Sequence, residues 1–222
     1  CSNQWRSLWI DIEVTKDIAP GNYEIELRLK KEGDVVTSAK QRLTVIGVEL
    51  PKQKIMHTEW MHADCLADYY HVDVFSEEHW KILENYFKEY VKRGCNMMLT
   101  PLFTSPLDTA VGLERTTTQL IKVEVVKGEY RFDFSELKRW IDLCKKCGIE
   151  YYEMSHLFSQ WGAKYAPKVV AEVDGKEEKI FGWHTPAVGE YTRFLKAFLP
   201  QLIEKLKEWN IDQVTYFHIS DV

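Results

Sequence analysis

What the sequence lacks narrows it quickly. It has no low-complexity tract and no apolar run long enough to cross a bilayer, and 45% hydrophobic with 28% charged residues is the balance of a folded globular chain. Clustered Lys and Arg are missing too. A net charge of -5 over 222 residues argues against a nucleic-acid partner, whose phosphates need a basic patch. No glycine-rich phosphate turn follows any predicted strand, so the nucleotide-binding doubly wound folds lack their usual signature here. Cysteine is sparse and odd in number: Cys1, Cys65, Cys95, Cys144 and Cys147 do not suggest a disulfide framework. Cys144 and Cys147 have C-x-x-C spacing, but they close a predicted helix just before Gly148, whereas a thioredoxin-type pair opens one; they read as two half-buried thiols. Cys1 followed by Ser-Asn fits a lipidated residue after signal removal, without a signal segment to support it.

Aromatic residues are plentiful by contrast, with eight Trp, eleven Tyr and ten Phe. Most belong to a core, yet flat aromatic faces also bind sugar rings. Residues 1–50 read as β structure. Residues 5–14 alternate roughly, Pro20-Gly21-Asn22 marks a turn, residues 23–29 alternate strictly, and Gly33-Asp34 closes a hairpin before residues 43–46. Three or four strands cannot close two packed sheets, so this region is expected to be the end of a β-sandwich domain. Pro51 marks the linker, and residues 51–222 form the second predicted domain.

From residue 54 the rhythm becomes strand, helix, strand, helix. Residues 55–61 read as a first strand. Ser76 caps a helix with Trp80, Leu83, Phe87, Tyr90 and Val91 on one face, ending at Gly94. Residues 95–99 make a second strand, and 120–126 with 130–134 make a hairpin turned at Lys127-Gly128. Ser135 caps the next helix, residues 149–154 make the third strand, and a helix over 187–209, which Pro200 is expected to kink, leads to a fourth strand from residue 214. Four βα units in succession predict an α/β fold, the first half of a (β/α)₈ TIM-type barrel, with a doubly wound open sheet as the alternative.

In such sheets chemistry sits at the carboxyl ends of the strands. The connections there are long and polar: Trp60-Met61-His62-Ala63-Asp64, Thr100-Pro101 through Glu114-Arg115, and Ser155-His156 through Gln160-Trp161. The opposite connections are short. Four of the seven histidines, His57, His62, His156 and His218, fall in or just after predicted strands. His57, Glu59, His62 and Asp64 do not make a metal set, because His57 and His62 are five apart on a strand and face opposite sides. Neither a metal nor another cofactor is expected. Trp161 beside Gln160 suits an aromatic platform with an amide reaching ring hydroxyls, with core packing the competing explanation. Arg115 either clamps an anion or pairs on the surface with Glu114, and Glu153 is either a perturbed buried carboxylate or the partner of a nearby cation.

The segments Trp60-Met61-His62-Ala63-Asp64, Thr100-Pro101-Leu102-Phe103-Thr104-Ser105-Pro106-Leu107-Asp108-Thr109, Ser155-His156-Leu157-Phe158-Ser159-Gln160-Trp161-Gly162-Ala163 and Phe217-His218-Ile219-Ser220-Asp221 resemble glycoside hydrolase family 123, the β-N-acetylgalactosaminidases. That resemblance implies substrate-assisted retention, an exception to the two-carboxylate scheme. The substrate's 2-acetamido oxygen attacks the anomeric carbon, an Asp orients the amide, and the following Glu protonates the leaving oxygen. Asp221 matches the first carboxylate, and Val222 stands where the second belongs. His62, Asp64, Arg115, His156, Gln160, Trp161 and His218 are the expected substrate-binding residues. The expectation is a glycosidase parent acting on a glycan outside the cell, in the periplasm or beyond, with this chain an inactive fragment or a member with a changed end. The alternative is a carbohydrate-binding or scaffold protein with an enzyme-like body.

Overall fold

The computed structural model describes residues 4–107, 109–110, 112–160 and 162–219. They fall into two compact units, Cys1–Gln53 and Lys54–Val222. In the first, β1 (Gly21–Lys31) pairs antiparallel with β2 (Asp34–Val45). Glu32 and Gly33 link them, both at positive φ, so the turn carries the twist of the strands it joins. Residues 5–14, expected as a strand, are not one; an extended run becomes a strand only in a backbone ladder, and no strand is formed there.

The second unit contains the core. Its elements run α1 (Ala63–Tyr70), α2 (Glu77–Lys92), β3 (Met97–Thr100), β4 (Lys122–Val126), β5 (Glu129–Asp133), α3 (Ser135–Cys147), β6 (Tyr151–Met154), β7 (Val169–Val173), β8 (Lys176–Phe181), α4 (Glu190–Glu208) and β9 (Thr215–Phe217). Helix starts follow local chemistry. The Ser76 hydroxyl accepts from the His79 amide and opens α2. At α3 the expected cap moves: Ser135 is already helical, and Asp133 accepts from both its amide, at 2.8 Å, and its hydroxyl. Gly148 ends α3 at φ 95°, a conformation open to glycine without strain. Helix α4 runs unbroken through Pro200.

Two sheets result. In one, β3, β6 and β9 lie side by side and parallel, in the order β3-β6-β9. In the other the order is β5-β4-β7-β8, antiparallel except where β4 meets β7. The β4–β7 junction is short, and Gln119 extends it, accepting from the Val170 amide at 2.9 Å and donating to the Val170 carbonyl at 2.8 Å.

The first of the four expected parallel strands, over residues 55–61, is absent. That segment runs beside β3, but its backbone does not ladder: the His57 carbonyl takes both the Asn96 and Met97 amides, and the His57 amide turns to the Asn96 side chain. Further along, the Tyr90 hydroxyl stands between the chains, accepting from the Glu59 amide and donating to the Met97 carbonyl, each at 2.7 Å. Side chains have taken the bonds that a strand pair would exchange.

Packing is aromatic. Trp80, Phe87 and Trp140 meet between α2 and α3. Phe194 and Phe198 of α4 meet Phe103 and Phe132, and Phe194 also meets Phe181, which ties the four-stranded sheet to α4. Each fully buried Phe contributes about 1.5–3 kcal/mol, so this cluster fixes where the loops after β3 and β6 can lie.

Candidate active site

The carboxyl ends of β6 and β9 converge on one carboxylate. Glu153 is the third residue of β6 and pairs in register with Tyr216 of β9, two residues before His218. The residue is buried, at 6% exposure. One oxygen, Oε1, lies 3.0 Å from His218 Nδ1, and Trp60 Nε1 donates to the other, Oε2, at 3.1 Å. His156, just past β6 and 1% exposed, lies with its ring centroid 3.8 Å from that of His218. The Trp60 indole meets both imidazoles edge-on, at 5.3 and 5.6 Å. Three chain segments far apart in sequence thus build one aromatic and acidic corner.

A second constellation adjoins it in sequence, through the run from Trp60 to Asp64 and through Ser155. Arg115 donates from Nε to Asp64 Oδ2 at 2.7 Å and from a terminal nitrogen to Oδ1 at 3.2 Å, and its other terminal nitrogen reaches the Leu107 carbonyl. Burial pulls the guanidinium down, and the hydrogen bond and charge of Asp64 outweigh it, so Arg115 stands above its ordinary value. This fork holds the excursion after β3 against α1, helped by Thr116 donating to Asp68. A small cavity of about 10 Å³ lies here, lined by His62, Asp64, Thr104, Ser105 and Ser155 among others. It has room for roughly one water.

Of the residues singled out from the sequence, His156 and His218 meet directly, while His62 and Asp64 share the neighbouring cavity, with Arg115 bonded to Asp64 at its edge. Arg115 pairs with Asp64, and Glu114 instead takes Lys179 and Lys168. Gln160 is half-buried on the loop after β6. Asp221 and Trp161 lie outside the described residues. Two participants were not on the expected list, Glu153 and Trp60. Glu153 carries a sequence signal as an acid near the carboxyl end of an aromatic strand, while nothing marks Trp60 as its donor.

Other reactive groups are quieter. His57 lies 3.8 Å from the Cys95 sulfur and 3.2 Å from Glu59, but burial, then the Glu59 charge, hold the Cys95 thiol above its ordinary value, the reverse of an activated nucleophile. Cys144 and Cys147 are free thiols, and burial raises both.

The buried carboxylate, two imidazoles and an indole thus stand at the ends of parallel strands in a mixed α/β body. The chain belongs to glycoside hydrolase family 123, whose catalytic-domain model matches residues 60–222. A family 123 glycoside hydrolase from Clostridium perfringens, described in connection with glycolipid glycan hydrolysis, superposes with a TM-score of 0.67 at 21% identity, over 91% of this chain. At that identity the likeness speaks to fold alone. The chain spans 36% of the length of that structure. No curated protein matches it.

Proposed function

We propose that this domain binds N-acetylhexosaminides, β-N-acetylgalactosaminides foremost, at the carboxyl ends of β6 and β9, in the manner of substrate-assisted retaining glycosidases. The observation that carries the reading is the corner of Trp60, Glu153, His156 and His218, which ends three residues before Asp221. On this reading the parallel strands β3, β6 and β9 are staves of a (β/α)₈ barrel, with residues 55–61 in the place of its first strand. Aromatic edges and imidazoles suit a sugar ring, whose axial C–H faces pack on flat surfaces while its hydroxyls take hydrogen bonds.

The chemistry then divides cleanly. The 2-acetamido oxygen forms a bond to the anomeric carbon as the glycosidic C–O bond breaks, and Asp221 holds the amide and the positive charge it gains. The departing oxygen needs a proton. Val222 has none to give, and loss of a general acid costs about 10²–10⁴-fold. On this reading residues 54–222 by themselves bind the acetamido sugar with little or no turnover, and the full-length parent is a glycosidase. The non-catalytic reading, a carbohydrate-binding or scaffold role, is favoured by that same valine.

The test is direct. On aryl N-acetyl-β-galactosaminides the chain is expected to show no hydrolysis, while calorimetry with the thiazoline mimic of the cyclised intermediate shows saturable binding. Turnover that disappears in Asp221→Asn overturns the inactive reading. No binding of any acetamido sugar overturns the site.

A further inference from the structure

Glu153 is buried and answers two donors at once. The indole nitrogen of Trp60 can only donate, so Oε2 must accept. An ionised carboxylate accepts at its other oxygen too, which makes His218 Nδ1 the nitrogen that carries the proton. We propose that Glu153 is the positioning residue of this site: it fixes His218 in the Nδ1–H tautomer and so presents Nε2 as an acceptor to a hydroxyl of the bound sugar. The ring neighbours agree. The His156 ring lies 3.8 Å away, tilted by 35°, and Trp60 closes the edge at 5.6 Å, so the imidazole is held in place as well as in tautomer. The register of β6 with β9, Glu153 opposite Tyr216 and Met154 opposite Phe217, sets the reach of the carboxylate to the next residue along, His218. This is the arrangement by which a carboxylate orients the imidazole of a metal ligand or catalytic base, here turned to a sugar.

The ligand half of this inference rests on the sugar-binding reading above; the tautomer half does not. Long-range proton–nitrogen correlation spectra of the histidine-labelled chain, taken at a pH where imidazoles are neutral, read it without any variant. His218 is expected to show a pyrrole-type Nδ1 and a pyridine-type Nε2. Glu153→Gln sharpens the test by logic rather than by loss. A glutamine has one oxygen and one amide; with its oxygen on the Trp60 donor, its NH₂ faces His218 Nδ1 and inverts the ring to the Nε2–H form, at almost unchanged shape. The thiazoline is then expected to bind about tenfold more weakly, the size of one mismatched hydrogen bond. A pyridine-type Nδ1 in the parent chain, or the same tautomer in both proteins, overturns the assignment to Glu153. A tautomer that inverts while affinity stays unchanged overturns the link to the ligand. A parent chain that binds no acetamido sugar overturns the functional reading, and the spectra still decide the role of Glu153.

Discussion

Asp64 and Glu153 are equally buried, at 6% exposure each, and both stand beside the same run of chain from Trp60 to Asp64. Their partners differ. Asp64 is gripped by two nitrogens of a guanidinium that never loses its charge, and Arg115 spends its remaining reach on the Leu107 carbonyl and the Cys65 sulfur. Glu153 is met by an indole and an imidazole, a neutral donor and one that can change its proton, on side chains that reach solvent: Trp60 is 38% exposed and the His218 side chain 29%. A permanent fork fixes structure. A carboxylate with an adaptable partner suits a place where a ligand must be received.

The contrast is broken most strongly at Arg115. Arg115→Ala leaves a buried carboxylate unpaired and is expected to cost about 3–5 kcal/mol in urea unfolding followed by tryptophan fluorescence. A loss under about 1 kcal/mol would show that Asp64 does not depend on its fork. Glu153→Ala strands only a histidine and an indole that water can reach, so about 1–3 kcal/mol is expected in the same titration. If that loss equals or exceeds that of Arg115→Ala, the two carboxylates are doing the same work.

A smaller effect comes from His79, which lies beneath the Asp64 region. It is fully buried, accepts from the Phe75 amide at 2.9 Å, and sits 3.1 Å from the Ala63 carbonyl. Burial holds it below its ordinary value, with the Ala63 carbonyl and the Asp64 charge pulling the other way. The unfolded chain therefore takes up this proton first as pH falls. The stability tied to neutral His79 is full above the ordinary histidine range and drains away below it, by at most about 1.4 kcal/mol per pH unit for one proton. His79→Gln should flatten that slope when unfolding is compared across pH 7 to 5, a span of about two units around the ordinary histidine value. An unchanged slope would mean that another group carries it.

The sequence was most legible where one short signal decides the outcome. Lys127-Gly128 between alternating runs foretold the β4–β5 hairpin, and the apolar stripes foretold α2, α3 and α4. The same signal, Asp174-Gly175, stands between residues 169–173 and 176–181 inside the long connection after β6, where β7 and β8 pair across it. Helix α1 gave no such warning, because His62 precedes it without a side-chain cap and only eight residues follow. The segment over 55–61 looked like a strand and is not, since Tyr90 and Asn96 compete for its backbone from 30 or more residues away. In the site, His156 and His218 could be placed by their position after strands. That Trp60 and Glu153 complete the corner depends on the β6–β9 register, which no local pattern encodes.

The convergence of those residues on a ligand is tested most directly by following histidine ring resonances while the thiazoline of N-acetylgalactosamine is added. His156 and His218 are expected to move together and saturate, while His57, His71 and His184 stay still. Saturable binding that leaves His156 and His218 unmoved, or that shifts only the other three, would contradict a sugar site at the ends of β6 and β9.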